Sequence, residues 1–468
     1  MSVPSRPFAD ELDRSRAPAP GPLRDFDFPG IHRGTLSNGI PVLVAEVRNF
    51  PVVTLHVLLE AGGTREPASQ AGIASLTAAL LESGAGPHSA LQIAEQIEAL
   101  GVQLDTDASW DTAFASLTAL RSRLEPASDI LAEIVQRPTF PEAEVKRLRG
   151  ERLAEILQRR ADPRALASEA TAQFVYAPDV PFSRSLGGTA DTVESLGKAD
   201  VAVFHAEHFH AAATTMIVCG DVAPEEAVEL LERRFGGWRS GVVTPTAVEV
   251  RPRSDEAKLV VVNRPGSVQS EIRVGHLGVS RATPDYFAVL VMNTILGGAF
   301  SSRLNLNLRE RHGYTYGASS GFALRRDPGA FLVSTAVQTE VTAAAVAQIM
   351  EELRAIREAP VTPAELDDAR NYMAGAFPLR LQTTGGIAAR LAELAIYDLP
   401  DDYFDHYRQR IVDVSAADVQ RAAERHVRPA DAVVVIVGDA DQIRAPLESL
   451  ELGPLQIVEA ADIIPSAT

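Results

Sequence analysis

Two kinds of apolar pattern follow one another along the chain from residue 31 onward. Stretches rich in β-branched residues and bounded by turn residues predict strands, at 39–47, 51–63, 108–120 and 214–222. Stretches with helical periodicity predict helices, at 69–85, 90–103, 141–161 and 223–234. The helix over 69–85 is small or apolar throughout, which is typical of a buried helix.

The same order of elements begins again after a stretch of breaker residues. Residues 236–256, GGWRSGVVTPTAVEVRPRSDE, have no core-forming period and predict a linker. ATTMIVCGDV in the first half matches DAVVVIVGDA in the second, and IEALGVQL at 97–104 aligns with RERHGYTY at 309–316. Divergent duplication of one unit of roughly 210 residues explains these matches.

We therefore predict an α+β chain with two similar domains. Each is an α/β layer structure in which mainly antiparallel strands pack on helices. The predicted boundaries are an N-terminal arm at 1–28, a first domain at 29–238, a linker at 239–257 and a second domain at 258–468.

Charge and composition exclude several classes of function. The net charge of −18 argues against nucleic acid as a partner, because phosphate binding needs a positive surface. No segment reaches the ~18 apolar residues of a membrane span. The first 28 residues are polar and rich in proline, without the apolar core of a secretory signal. We expect a cytoplasmic protein with a poorly ordered arm.

The residues that bind metals offer no site in this chain. Cys219 is the single cysteine and is predicted to be a small buried side chain. The one histidine cluster, His205, His208 and His210 in HAEHFH, lacks the spacing of a zinc motif and is predicted to be structural.

The stretch LRERHGYTYGASSGF, residues 308–322, allows two interpretations. Cations before Gly313 suit the last turn of a helix, and a tyrosine is common in the following strand. Alternatively, Arg309 and Tyr316 form a donor pair, in which a guanidinium binds a carbonyl and a phenol donates to a developing oxyanion. The first repeat has Ile97 and Leu104 at these positions, an exchange that architecture alone does not require.

The run NTILGGAFSSRLNLNLRERHGYTYGASSGF resembles the C-terminal-half signature of the M16 peptidases, the group of pitrilysin, insulinase and mitochondrial processing peptidase. Four further stretches agree in order, namely AGGTREPASQAGIASLTAALLESGA, FPEAEVKRLRGERLAEILQRRADP, RPGSVQSEIRVG and LPDDYFDHYRQRIVDVSAADVQRA. The resemblance covers about residues 31 to 450 and implies two repeats of an α/β roll.

The resemblance also implies where a zinc site would lie. Active members carry His-x-x-Glu-His on a helix and a distal glutamate; two imidazoles one helical turn apart bind zinc, and the motif glutamate takes a proton from bound water. Here these positions hold Ser75, Ala78 and Ala79, and only the distal Glu155 remains. One carboxylate does not hold a catalytic zinc, and Glu155 is equally explained as a surface charge. We therefore expect no metal or cofactor in this chain.

A second catalytic element of the family is intact. Its arginine and tyrosine, which bind the substrate backbone, align with Arg309 and Tyr316 at the family's spacing. Because strand side chains alternate, Tyr314 is expected on the same face as Tyr316 and is a further candidate for substrate binding.

These expectations favour one function and leave two others open. The favoured one is the zinc-free subunit of a heterodimeric M16 peptidase, inactive alone, acting on peptides or unfolded polypeptides with a partner that carries the zinc motif. A non-catalytic assembly subunit, like the core proteins of respiratory complexes, explains the lost zinc ligands equally well. A regulatory subunit that binds substrate would use the same cleft and tolerate loss of Tyr316.

Overall fold

The structure is a computed structural model, and it describes residues 21, 24, 26–253 and 258–466. Most of the predicted arm at 1–28 lies outside these residues, as do residues 254–257 of the predicted linker. At the end of the arm, Phe28 is buried against Phe404, with ring centroids 5.1 Å apart.

The first half of the chain contains eight strands and eight α-helices among the described residues. The strands are β1 Ile31–Thr35, β2 Pro41–Glu46, β3 Val52–Leu59, β4 Gly84–Ala85, β5 His88–Ser89, β6 Gln103–Ala108, β7 Ala113–Leu120 and β8 Thr214–Gly220. The helices are α1 Ile73–Leu80, α2 Ala90–Leu100, α3 Leu124–Gln136, α4 Glu142–Ala161, α5 Pro163–Val175, α6 Ala190–Ser195, α7 Lys198–His208 and α8 Pro224–Phe235.

The second half contains six strands and nine α-helices in the described part. The strands are β9 Leu259–Asn263, β10 Gln269–Leu277, β11 Ala318–Phe322, β12 Ala330–Gln338, β13 Val433–Gly438 and β14 Leu455–Glu459. The helices are α9 Tyr286–Asn293, α10 Arg303–Asn305, α11 Thr342–Glu358, α12 Pro363–Ala376, α13 Thr384–Ile396, α14 Tyr407–Asp413, α15 Ala416–His426, α16 Ala440–Glu448 and α17 Ala460–Ile463. Two π-helical turns, Thr294–Gly298 and Leu306–Arg311, flank α10.

The two main sheets repeat the same arrangement. The first has the order β1-β2-β8-β3-β7-β6, and the second, taken from its other edge, has the order β14-β9-β13-β10-β12-β11. Five strands correspond in both position and chain order, and most neighbouring pairs are antiparallel. The sixth strand differs, because β1 is antiparallel to β2 whereas β14 is parallel to β9. The predicted α+β fold with two similar halves is confirmed.

The central strands β2, β8, β9 and β13 are almost entirely apolar because both faces of each sheet are buried there. In β13, Val434 and Ile436 face a core of the second half, while Val433, Val435 and Val437 face another apolar cluster. Successive strand residues point to opposite faces, so a strand covered on both sides carries no polar alternation.

Each half covers the outer sheet face of the other. Helix α5 of the first half packs on strands β10 and β13, and its buried residues Leu166 and Phe174 join the cluster that contains Val435. In return, α13 of the second half packs on β3 and β8, where Leu391 belongs to the cluster of Ile217. We call this arrangement the reciprocal helix packing.

One sequence prediction of an element differs from the structure. The helix predicted over 69–85 is α-helical only from 73 to 80, because Gly72 at its start and Gly84 beyond its end have positive φ angles. The predicted linker has no helix or strand from 239 to 251, but it is attached to the first half, where the Arg251 carbonyl accepts the Ala177 amide. The domain boundaries stay a prediction.

The expectation about membrane spans also needs correction. One run, Tyr286–Arg311, is long and apolar enough to cross a membrane by length and composition alone. Half of its apolar window is buried in the protein, and residues 299–302 interrupt the helix.

Candidate functional site

The segment that carries the predicted donor pair ends a helix, as its sequence indicates. The π-helical turn runs to Arg311, and Gly313 then takes the left-handed conformation with φ of 65°. The Tyr314 amide returns to the Leu308 carbonyl at 2.8 Å, and the Gly313 amide to the Arg309 carbonyl at 3.1 Å. This closed helix end fixes Arg309 in its last turn.

Arg309 lies at the surface with little to hold its guanidinium. Its side chain is 34 % exposed, and its nearest carboxylate is Glu310 at 3.5 Å. The guanidinium carbon lies 4.4 Å from the ring centroid of Phe300, itself largely exposed. The stacked ring leaves the edge of the fork open to a ligand, since cation–π contact uses the face of the guanidinium.

Tyr316 is 96 % exposed, and its hydroxyl has no hydrogen-bond partner among the described residues. The expectation that strand alternation places Tyr314 beside it is wrong, because residues 314–317 precede strand β11 and are irregular. Tyr314 is instead half-buried against the second core and stacks on His312, with centroids 4.9 Å apart. Tyr316 therefore projects alone.

The backbone around Tyr316 is held in place although its side chain is free. The Thr315 hydroxyl accepts the Gly317 amide at 3.1 Å and the Thr335 hydroxyl at 3.0 Å. The buried Asn305 side chain binds both the amide and the carbonyl of Ala318, at 3.0 and 2.8 Å. These supports were missed in the sequence, where Asn305 and Thr315 carry no signal that separates them from other polar residues.

The positions of the lost zinc ligands lie on helix α1, inside the first core. Ala78 is fully buried, Ser75 is buried and Ala79 is half-buried. The Glu66 carboxylate accepts the Gly72 and Ala74 amides at the start of this helix, at 3.2 and 2.9 Å. Burial raises the pKa of Glu66 to about 7. That carboxylate serves the helix end and is not available for a metal.

An arginine now connects two of the zinc-motif positions. The Arg152 Nη2 donates to Ser75 Oγ at 3.2 Å, and its Nε lies 3.6 Å from a carboxylate oxygen of Glu155. A guanidinium repels a metal cation, and serine and alanine supply no ligand that zinc prefers. In the part of the chain that the structure describes, no group of three His, Cys, Asp or Glu side chains could hold a metal. These residues do not fit a zinc ion.

The histidine cluster has a structural environment. His205 Nε2 binds the Val135 carbonyl at 2.9 Å, and its ring stacks on Phe209 with centroids 4.7 Å apart. Burial lowers the pKa of His205 to about 4, so the imidazole stays neutral as a packing group.

Two family models together match most of the chain. Residues 42–178 match a model described as insulinase (peptidase family M16), and residues 195–373 match one described as the peptidase M16 inactive domain. An uncharacterized zinc protease of Mycobacterium leprae is 25 % identical over 397 residues, which is 85 % of this chain and 89 % of that protein. The non-peptidase homolog YmxG of Helicobacter pylori is 23 % identical over 406 residues, 86 % of this chain and 92 % of its own length.

Solved structures agree on the fold. The crystal structure of a peptidase M16 inactive domain from Pseudomonas fluorescens has a TM-score of 0.82 and 27 % identity. The match covers 87 % of this chain and 98 % of that chain. A chain of complex III2 from Candida albicans has a TM-score of 0.75 at 15 % identity, covering 90 % of this chain and 100 % of that chain.

Proposed function

Because this chain belongs to the M16 peptidase family, we propose that it is the zinc-free subunit of a two-chain peptidase. In this role it presents Arg309 and Tyr316 to a peptide held by a second M16 chain, and that partner carries the zinc and the His-x-x-Glu-His motif. Alone, the chain would hydrolyse no peptide.

The observation that carries the proposal is the contrast between the two repeats. Ile97, near the end of helix α2 in the first half, packs against its core, whereas Arg309, at the corresponding helix end of the second half, and Tyr316 after it stay at the surface without strong partners. An almost fully exposed tyrosine adds nothing to folding that a small polar residue could not supply. Its backbone is nevertheless fixed by Asn305 and Thr315, which suits a side chain that meets something outside this chain.

The chemistry of the pair suits a peptide whose carbonyl is under attack. The planar fork of Arg309 can donate two hydrogen bonds to a backbone carbonyl, which fixes the peptide's position. The Tyr316 hydroxyl can donate to the scissile oxygen as negative charge grows on it. Such a donor is effective only where water is excluded, so the partner chain must supply the opposite wall of the site.

A place for the substrate backbone lies next to the pair. Strand β11 begins at Ala318, two residues after Tyr316, and forms one edge of the second sheet. An extended peptide can add to such an edge through backbone hydrogen bonds, which bind many sequences alike.

The fold likeness to the complex III chain favours a second candidate, a non-catalytic assembly subunit. That role explains the loss of zinc ligands, but it assigns nothing to the exposed Tyr316. A regulatory subunit that binds substrate is the third candidate, and it would bind peptide without needing the phenol.

The test is turnover of an unfolded peptide by the coexpressed pair, formed with an M16 chain that carries His-x-x-Glu-His. We expect activity from the pair, none from this chain alone, and a loss of roughly 100- to 1000-fold in kcat with Tyr316→Phe, the range for removing one oxyanion donor. Because Tyr316 is exposed, the variant should keep its stability within about 0.5 kcal/mol and should still bind the partner.

Tyr372→Phe is the matched control, since Tyr372 is an exposed tyrosine on α12 outside the proposed site. It should leave turnover unchanged. Equal turnover of the Tyr316→Phe pair and the wild-type pair would refute the role of the phenol, and a stable pair without any peptidase activity would favour the assembly subunit.

A further inference from the structure

A cavity between the two halves contains several buried donors that nothing in the protein satisfies. Its volume is about 260 Å³, close to the lower bound of roughly 300 Å³ for small-molecule sites. Trp110, Tyr176, Phe182 and Arg184 of the first half line it, together with Arg325 and Leu332 of the second half.

Three polar atoms of this lining are buried and lack a hydrogen-bond partner. They are the Tyr176 hydroxyl, Nε of Arg184 and Nη1 of Arg325. Tyr176 is only 3 % exposed; the Ala330 amide acts on its oxygen, but the hydroxyl proton has no acceptor. An unsatisfied buried donor costs about 1–3 kcal/mol, so three at one cavity call for an acceptor that enters from outside.

One of the guanidinium groups at the cavity has no ion-pair partner. Two of the three guanidinium groups have carboxylate partners, as Arg159 pairs with Glu169 and Arg184 lies 3.5 Å from Glu66. Among the described residues, no carboxylate lies within 4.0 Å of the Arg325 guanidinium. Asp111 is near enough to act on Arg325 electrostatically, but its carboxylate accepts the Arg326 amide. Burial lowers the pKa of Arg325, as expected for a cation that lacks a partner.

Aromatic rings surround the Arg325 guanidinium. The Arg325 guanidinium carbon lies 4.7 Å from the centroid of Phe182 and 5.6 Å from that of Trp110. The Tyr176 and Trp110 rings both meet Phe182, with centroids 5.7 and 5.1 Å apart. A ligand that reached the guanidinium would therefore place an apolar group against these rings.

We propose that this cavity binds an organic carboxylate with an apolar or aromatic tail. The carboxylate would accept from Arg325 and from the Tyr176 hydroxyl, and the tail would lie against Phe182 and Trp110. A single negative charge matches the one guanidinium that lacks an ion-pair partner, whereas a phosphate dianion would bring more charge than the site balances. Either a free small acid or the C-terminal carboxylate of a peptide has this chemistry. The site stands apart from Arg309 and Tyr316 and does not depend on peptide hydrolysis.

Trp110 provides a direct readout, since the chain has only one other tryptophan, Trp238. In a Trp238→Phe background, 3-phenylpropionate should change Trp110 fluorescence saturably at millimolar or lower concentration, and the uncharged 3-phenylpropanol should bind at least roughly tenfold more weakly. Equal binding of the acid and the alcohol, or no saturation by about 10 mM acid, would overturn the proposal.

Two variants locate the donors. Arg325→Met keeps an unbranched apolar side chain but removes the guanidinium, and it should weaken binding of the acid at least roughly tenfold, while Tyr176→Phe should weaken it severalfold. Without ligand, both variants should melt at or above the wild-type temperature, because each removes a buried donor that lacks a partner. Arg137→Met, on the exposed end of α3, is the matched control and should bind like the wild type. Wild-type affinity in Arg325→Met would contradict the assignment.

The source of the carboxylate is separated by peptides. A short peptide that ends in phenylalanine is compared as the free acid and as the amide. Binding of the free-acid peptide but not the amide assigns the site to peptide C-termini, and binding of 3-phenylpropionate alone assigns it to free acids.

Discussion

At the residue scale, His276 is held neutral by two opposite hydrogen bonds. Its Nδ1–H donates to the Leu277 carbonyl at 3.0 Å, and its Nε2 accepts the Arg428 amide at 2.9 Å. The side chain is 2 % exposed, and burial lowers its pKa to about 4, with the Arg428 charge acting in the same direction and Asp431 against it. If Nε2 were protonated, its N–H would face the N–H of Arg428, and neither would have an acceptor.

This neutral histidine makes stability depend on pH with a definite sign. The folded pKa of about 4 lies below the unfolded value of 6.5, so the unfolded state binds more protons between them. The contribution is present above pH 6.5 and is lost as pH falls toward 4. At pH 5 the loss is about 2 kcal/mol of unfolding free energy for this group.

His276→Gln tests this sign, because the amide oxygen of glutamine can accept the Arg428 amide without titrating. Urea unfolding at pH 7 and pH 5 should show a smaller loss for the variant, by about 2 kcal/mol. His312→Gln changes an exposed side chain and should follow the wild type. A loss at pH 5 that is equal in the wild type and His276→Gln would show that His276 does not titrate as described.

The sequence predicted the candidate site only in part at this scale. The order of residues places Arg309 at a helix end and Tyr316 after it, and both positions follow from local chain geometry. It did not reveal that Tyr314 turns inward, because that depends on strand β11 beginning at Ala318 and on the His312 ring. It also could not show Arg152 between Ser75 and Glu155, since the contact joins two helices.

At the scale of elements, the recurring Gly-Asp pair has a physical cause at Gly220. Its φ is 140°, a conformation that favours glycine, and an added Cβ would lie 2.1 Å from the Val52 carbonyl oxygen on strand β3. The end of β8 therefore approaches its neighbour too closely for any side chain. Gly438 repeats the close approach, because a Cβ added there would lie 2.7 Å from the Ser270 hydroxyl.

Gly220→Ala should destabilise the protein by at least about 2 kcal/mol, since it combines an unfavourable φ with a clash against backbone. Gly321→Ala is the matched strand control, because nothing lies within 4 Å of its added Cβ. It should be neutral or stabilise by up to about 1 kcal/mol. Chemical denaturation measures both, and similar losses in the two variants would contradict the steric explanation.

Element prediction worked where burial is complete and failed at edges and turns. Strands β2 and β8 appear in the sequence as nearly continuous apolar runs because both their faces are covered. Strand β6, QLDTDA, was missed, since an edge strand with one exposed face carries polar residues and few branched ones.

At the scale of the whole molecule, the reciprocal helix packing makes the two halves depend on each other. Residues 26–238 expressed alone would expose the sheet face of Leu43, Ala45, Ile217 and Cys219, which α13 normally covers. Apolar surface of that kind favours aggregation, so we expect neither half to unfold cooperatively on its own.

The reactivity of the single cysteine, Cys219, reports whether the first half depends on the second half for its folding. In the full chain, burial raises the pKa of Cys219 to about 12, and the thiol should not react with Ellman's reagent. In the isolated first half it should react within minutes, and adding the second half should restore protection. A protected Cys219 and a cooperative melt in residues 26–238 alone would show that the first half folds independently.

The duplication could be predicted from the sequence, but the reciprocal helix packing could not. An apolar strand face indicates that another element packs on it. The sequence does not indicate whether that element belongs to the same repeat or to the other one. The answer depends on contacts between segments more than a hundred residues apart, such as helix α13 with strand β8.

A consequence concerns how any long ligand would gain access to this molecule. Separation of the two halves would expose two large apolar sheet faces to water at the same time. We therefore expect the chain to move as a single rigid body. If the protein works as part of a pair, a substrate would enter at the interface between the two chains. The rate of substrate entry would then depend on how often the two chains separate.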